Sequence, residues 1–281
     1  MERRTFIQAL GAATAGGMVA SPRLRWAEPN HLERIGLELY SVRNEMMKDP
    51  ERTLAAVRAA GYTDVELLWS FQNFGRSTDQ VIASLKQEGL RAPSAHISLE
   101  DLFIGWERRL EIAKRIGHDY LIVPSFSGET SQTLDDWREW ADHFNTAGAA
   151  ARRAGIWLAF HNEPEHIKPI DGKVPYDVFV ERLDPKVVRL QLDVGNMLIG
   201  GGDPMQYLER YKDRYWLFHL KDAVPDRSSD TELGKGIFDF KRFLVQVPQL
   251  NDKVCYVEQE NAPDELAAAR DDYNYLHGLE F

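Results

Sequence analysis

From Arg34 onward the chain repeats one pattern: a short apolar run, then a longer stretch whose apolar positions recur at helical spacing. The runs at 35–42, 64–68, 92–97, 120–124, 157–162, 187–194, 216–220 and 253–259 read as strands. Asp49-Pro50 opens the first helix, with Leu54, Val57 and Ala60 on its apolar face and Gly61 as its stop. Asp49 suits an N-cap, and Pro50 the first turn, where no backbone N–H is needed. Further helices are expected at 79–88 before Gly89, 102–116 before Gly117, 133–153, 176–183, 204–213 after Asp203, 239–247 and 263–278. In 133–153 the residues Leu134, Trp137, Ala141, Phe144 and Ala147 form one stripe. Tyr120–Pro124 is almost wholly apolar, as a strand covered on both faces must be. Gly200-Gly201-Gly202 reads as a loop tip.

Alternating strands and helices give a parallel sheet. Eight repeats in about 250 residues predict a closed (β/α)8 TIM barrel, one α/β domain spanning 31–281. An open doubly wound sheet is the competitor. No Gly-x-Gly-x-x-Gly follows the first strand, which weakens a dinucleotide-binding reading.

Residues 1–30 differ in kind. Glu2-Arg3-Arg4-Thr5-Phe6-Ile7 precedes a weakly apolar stretch rich in Ala and Gly, too short for a spanning helix. The arginine pair followed by Thr-Phe-Ile is similar to a twin-arginine export signal. That predicts passage of a folded, metal-loaded protein through the twin-arginine export machinery, and a periplasmic or otherwise exported location. No clean Ala-x-Ala precedes Pro22, so cleavage and retention as an anchor both stay open.

Charge narrows the function. A net charge of −10 over 281 residues argues against a broad nucleic-acid surface, which needs a basic stripe to displace counterions. A nuclease with a His-rich three-metal site fits poorly with eight histidines in all. The single cysteine, Cys255, excludes an intrachain disulfide framework and reads as a buried thiol.

The chemistry sits where the later strands end. Leu158-Ala-Phe-His-Asn-Glu163, Leu190-Gln-Leu-Asp193, Leu217-Phe-His-Leu-Lys-Asp222 and Cys255-Tyr-Val-Glu-Gln-Glu260 each finish an apolar run with carboxylates or imidazoles. Such groups are costly beside buried strands unless paired or bound to a metal. In a barrel these ends form the active face. Residues two apart share a strand face, so His161 with Glu163, His219 with Lys221 and Glu258 with Glu260 are candidate inward pairs. Glu66 and His96 end strands two and three. An oxygen-rich set with imidazole suits Mn²⁺, Mg²⁺ or Co²⁺, with Zn²⁺ also compatible.

Ile35-Gly-Leu-Glu-Leu-Tyr-Ser-Val-Arg43, Ala59-Ala-Gly-Tyr-Thr-Asp-Val-Glu66, Ala92-Pro-Ser-Ala-His96, Phe160-His-Asn-Glu163, Gln191-Leu-Asp-Val194, Phe218-His-Leu-Lys-Asp222, Gly234-Lys-Gly-Ile-Phe-Asp-Phe240 and Tyr256-Val-Glu258 carry a resemblance. Together they resemble the xylose-isomerase-like TIM-barrel superfamily, which includes sugar phosphate isomerase/epimerase members. The resemblance implies a divalent metal held by Glu163, Asp193, His219 and Glu258. At strand five it leaves two assignments, Glu163 as ligand with His161 as base, or the reverse; hard cations favour the carboxylate. Many epimerases have Glu where His161 stands, and tend to carry His three residues after the strand-six Asp, where this chain has Asn196.

The expected reaction is proton abstraction next to a metal-bound carbonyl of a small carbohydrate or keto-sugar, as in an isomerase or epimerase. His161 or Glu260 is the expected base, and Lys221 an oxyanion partner or proton donor. Tyr40, Glu66, His96 and Asn196 are assigned to the substrate. The same machinery suits a lyase or dehydratase acting on 3-keto-glycosides or inosose-like keto-sugars. A non-catalytic carbohydrate-binding protein is the third reading, and predicts no bound metal.

Overall fold

The computed structural model describes residues 30–281 apart from Ser127 and Glu129. The export signal assigned to 1–30 falls, Asn30 excepted, outside the described residues. Eight parallel strands close into a barrel: β1 Gly36–Glu38, β2 Asp64–Leu68, β3 Arg91–His96, β4 Tyr120–Val123, β5 Trp157–His161, β6 Val188–Asp193, β7 Tyr215–Leu220 and β8 Val254–Val257. Each pairs with its sequence neighbour, and β8 pairs back onto β1 with Gly36 opposite Tyr256. The helices form the outer layer.

Local chemistry explains the helix boundaries. α1 (Arg43–Lys48) leads directly into α2 (Pro50–Ala60). Asp49 caps α2 by accepting from the Arg52 N–H at 3.1 Å, and Gly61 ends it at φ 119°, a left-handed conformation that a β-carbon disfavours. Reciprocal capping boxes start α3 (Thr78–Glu88) at Ser77 and Gln80, and the long helix Leu134–Arg153 at Thr133 and Asp136.

Two predicted boundaries move, for physical reasons. The first strand ends at Glu38 rather than Val42: the Glu38 carboxylate accepts from the Tyr40 N–H and turns the chain into a 3-10 helix, Leu39–Val42. Leu39 and Val42 are still buried, so the apolar run reported burial rather than extension. The sixth strand ends on Asp193, whose Oδ1 accepts from the Asn196 N–H at 2.8 Å. It thereby caps a short helix, Val194–Ile199, that periodicity alone did not disclose.

Inside the barrel, side chains alternate inward and outward with the strand period of two. Arg189 and Trp157 lie at the amino-terminal mouth, and Ile122, Ala159, Leu217 and Val254 form an apolar layer above them. Next comes a polar layer. Tyr256 Oη lies 2.6 Å from Ser94 Oγ, and Ser94 in turn donates to Glu66. Gly36 has no side chain because a Cβ there would sit 2.4 Å from the Tyr256 ring. The carboxyl-terminal ends of the strands then present the candidate site.

Candidate active site

Four strands converge on one point. Ligand atoms from His161 (β5), Asp193 (β6), His219 (β7) and the residue just past β8, Glu258, all lie within 4.8 Å of one another, and all four residues are buried. His161 Nε2 is buried without a hydrogen-bond partner, 3.5 Å from Asp193 Oδ2. An unpartnered buried nitrogen beside a carboxylate is what a metal would satisfy, so the residues fit a divalent ion.

The fifth-strand donor in this group is His161, whereas the oxygen preference had pointed to Glu163. The reason is depth. β5 ends at His161, and Glu163 lies beyond it, where Pro164 starts a 3-10 turn. Glu163 instead accepts from Asn196 Nδ2 at 2.9 Å and faces the cavity, with its Oε1 3.7 Å from His161 Nδ1.

Beneath the donors lies a tightly bonded layer. His219 is held between two carboxylates: Nδ1 is 2.6 Å from Glu258 Oε2 and Nε2 is 2.6 Å from Glu66 Oε2. Burial opposes charge on this ring, but the two carboxylates hold it well above the usual imidazole range. Burial would likewise raise Glu66, yet the His96 and His219 rings beside it hold it well below the usual carboxylate range. Gln191 Nε2 donates to both Glu66 oxygens at 3.1 and 3.0 Å, and its Oε1 lies 3.0 Å from His96 Nε2. Glu66, His96 and His219 form a second grouping of the same span, which shares His219 with the first and whose Glu66 and His96 are also bonded to Gln191. Glu66 was expected at the substrate. It is instead fully buried below the cavity, where it orients His219, while His96 does reach the cavity wall.

Lys221 is the other surprise of burial. It is 1% exposed, its ammonium 3.0 Å from Asn196 Oδ1, 3.4 Å from Asp193 Oδ2 and 3.5 Å from Glu258 Oε1, with Glu260 in direct contact. Burial alone would strip its proton; Asp193, Glu258, Glu260 and Glu163 keep it charged. Its stem crosses Gly195, where a Cβ would stand 2.6 Å from Lys221 Cγ. Asn196, assigned to the substrate, is 3% exposed and spends its amide on Glu163 and Lys221. It bridges Glu163 and Lys221 rather than lining the cavity.

The cavity over the donors measures about 300 Å³. Glu163 and Glu260 both face it, and burial raises both carboxyls above their ordinary range. Tyr40 and Phe71 supply its aromatic wall, packed edge to face at 5.8 Å. Tyr40, assigned to the substrate, does line this cavity; among the described residues no tryptophan does. Phe71, Gln191 and Ser94 were not anticipated. For the last two a signal existed: each is polar at an inward position two residues before a strand's last inward group.

The family model described as "Xylose isomerase-like TIM barrel" matches residues 54–279. An inosose dehydratase from Geobacillus kaustophilus is 26% identical over 198 residues, covering 63% of this chain and 63% of that protein. An inosose dehydratase from Clostridium perfringens is 23% identical over 144 residues, 50% of this chain and 48% of its own length. The chain thus spans only about half to just under two thirds of the length of these relatives. Among solved structures, a sugar phosphate isomerase/epimerase from Parabacteroides distasonis superposes with a TM-score of 0.76 at 23% identity, covering 88% of this chain and 94% of that one. The probable 3-DHS dehydratase involved in petrobactin synthesis from Bacillus anthracis gives 0.66 at 14% identity, over 86% and 98%. With a closed eight-stranded barrel and a family match over most of its length, the chain belongs to the xylose isomerase-like TIM barrel family.

Proposed function

We propose that this protein is a divalent-metal-dependent lyase of the dehydratase type, acting on a small neutral keto-sugar. The observation that carries the reading is the buried His161–Asp193–His219–Glu258 cluster opening onto a cavity edged by Glu163 and Glu260. Two imidazoles and two carboxylates suit Mn²⁺, Co²⁺ or Zn²⁺ better than the all-oxygen preference of Mg²⁺. When bound, such an ion supplies Lewis-acid polarisation of a substrate carbonyl.

The protein's own groups do the rest. With His161 in the donor set, Glu260 is left as the base that removes the proton next to the carbonyl. A carboxyl raised by its surroundings is suited to that role near neutral pH. Lys221, buried behind the cavity wall and touching Glu260, is an ammonium placed to orient that carboxylate and to stabilise its charge. Glu38 and His96 close the cavity floor, and Tyr40 and Phe71 cover an apolar sugar face. Among the described residues no lysine or arginine lines the cavity, so away from the metal a phosphate group has no side-chain cation to meet it.

An elimination needs a base and then an acid, and Glu260, once it has taken the proton, can return it to the departing oxygen with Lys221 behind it. Epimerisation shares its first half and then needs a second group, such as Glu163, to return the proton to the opposite face. Elimination is the better reading on two grounds. His161 and Asn196 depart from the epimerase pattern, and the relatives named above include inosose dehydratases. The test is to load purified protein with Mn²⁺, Co²⁺ or Zn²⁺ and incubate it with inosose and 3-keto-glycosides in D₂O. Metal-dependent appearance of an enone absorbance supports the lyase. Deuterium uptake without enone makes it an isomerase, and no retained metal with no exchange sinks both.

A further inference from the structure

A second cavity, about 360 Å³, adjoins the first at the carboxyl-terminal mouth, and the two share Ser70 and Pro124 as walls. Ligand pockets run from about 300 to 1,000 Å³, so each compartment is the size of one small ring system and the pair suits two joined rings. The second compartment is faced by Leu99, Phe103 and Trp140, with Ser98 and Ser125 as hydroxyl partners.

Its aromatic surface is held in place. Trp140 stacks on Phe126 at 5.5 Å with planes 17° apart, and its Nε1 donates to the Thr130 carbonyl at 2.7 Å. Phe103 meets the Trp140 ring edge-on at 5.8 Å. Phe103 nevertheless remains 53% exposed. Exposed aliphatic residues are common, but among the described residues the exposed large aromatics are Phe71 and Phe103 alone, one in each compartment. Among the described residues no lysine or arginine lines either compartment, and Glu100 is the one charged group lining the second. A phosphate, carboxylate or sulfate on the second ring would meet no side-chain counter-charge there.

From these observations we propose that the Phe103–Trp140 compartment is a binding subsite for a second neutral ring, a sugar or an aromatic aglycone, joined through an acetal oxygen to the sugar in the first. The substrate is then a glycoside, which deepens the keto-sugar reading above and rests on it. In the reaction the C–H bond next to the carbonyl breaks, its electron pair forms a carbon–carbon double bond, and the C–O bond to the second ring breaks at the carbon beyond. The ring leaves as its alcohol, carrying the proton supplied by the acid. No oxidant or reductant is consumed.

Equilibrium binding separates this proposal from the reaction. Calorimetric titration of metal-loaded protein with 4-nitrophenyl glucoside and methyl glucoside is expected to show at least tenfold tighter binding of the two-ring compound. In Phe103→Ala that preference falls to within about twofold, while affinity for the methyl compound is unchanged; Phe103→Tyr restores the preference. The exposure of Phe103 makes both variants safe for folding. Equal affinity for the two compounds in the wild type, or an undiminished preference in Phe103→Ala, overturns the subsite. Turnover of the corresponding 3-keto forms is read separately. A preference without enone formation leaves the subsite standing and removes the lyase reading instead.

Discussion

At its amino-terminal mouth the barrel buries cations, and at its carboxyl-terminal mouth it gathers carboxylates. At the first, the Arg189 guanidinium lies 3.8 Å from the Trp157 ring centre and 3.5 Å from that of Trp216, and donates to Tyr120 Oη. Lys253 covers Trp216 at 3.6 Å, and Arg152 covers Trp157 at 3.7 Å. Aromatic faces attract these charges directly, so the end closes on itself. At the second mouth, Glu258, Asp193, Glu260 and Glu163 surround one buried ammonium, while His161 Nε2 and Glu38 Oε1 are buried without partners. The same inward alternation thus sets cations on aromatic faces at one end, where Arg189 Nε alone of that group lacks a hydrogen-bond partner, and at the other crowds carboxylates and imidazoles that fall short of mutual satisfaction. Sites that give up stability in this way are where ligands act.

The comparison breaks most readily at Asp193. Asp193→Asn keeps the oxygen that caps Val194–Ile199 but removes the charge. Retained metal, read by elemental analysis after dialysis, is expected to fall to background. Turnover should drop by about a thousandfold, the loss of several kcal/mol of Lewis-acid help. The thermal midpoint stays level or rises. A variant that keeps both metal and turnover would show that Asp193 is not a ligand.

At the lower mouth the prediction reverses. Arg189→Met keeps the bulk and removes the charge between the indoles. It should lose roughly 2 kcal/mol in denaturant unfolding, with metal content and turnover per folded molecule unchanged. Loss of turnover without loss of stability would mean that the two ends are coupled.

The smallest effect asks whether buried carboxylates are costly only at the upper mouth. Asp272, in the last helix (Glu265–His277), accepts from the Leu233 N–H at 2.8 Å, and burial, the main cause, raises its pKa to about 7. A carboxyl raised on folding contributes stability that is fully present below its ordinary pKa and lost as pH climbs through the folded value. Wild-type stability should therefore fall between about pH 4 and pH 7 on this account. Asp272→Asn does not titrate there, so it should exceed the wild type by roughly 1 kcal/mol at pH 8, with the gain gone near pH 4. An equal gain at both pH values would tie it to packing rather than charge.

Much of this was legible before any coordinates. All eight barrel strands were found within a few residues, because buried parallel strands are continuous apolar runs and capping residues punctuate the helices. Asp193, His219 and Glu258 were legible as polar residues ending such runs. The choice between His161 and Glu163 was not, because both share an inward face and alternation does not report which sits at the depth of the ring. Glu66 was legible as inward but not as buried below the cavity, since its depth depends on the register of β2 against β3 and β7's His219 across the barrel. Phe103 and Trp140 were invisible for a different reason. They lie on a loop and a helix that meet only in the fold, and at helical spacing an aromatic residue reads as packing.

Gly195 and Lys221 lie on different elements, yet the lysine stem passes where any β-carbon at 195 would be. Position 195 cannot drift alone, because a β-carbon there would also stand 2.8 Å from the Lys221 β-carbon. A lineage that acquires alanine at 195 must move the backbone at 221 and, with it, the partner of Glu260. Glycine at 195 should therefore accompany lysine at 221 among relatives, and would mark those that share the Glu260–Lys221 contact rather than only the barrel.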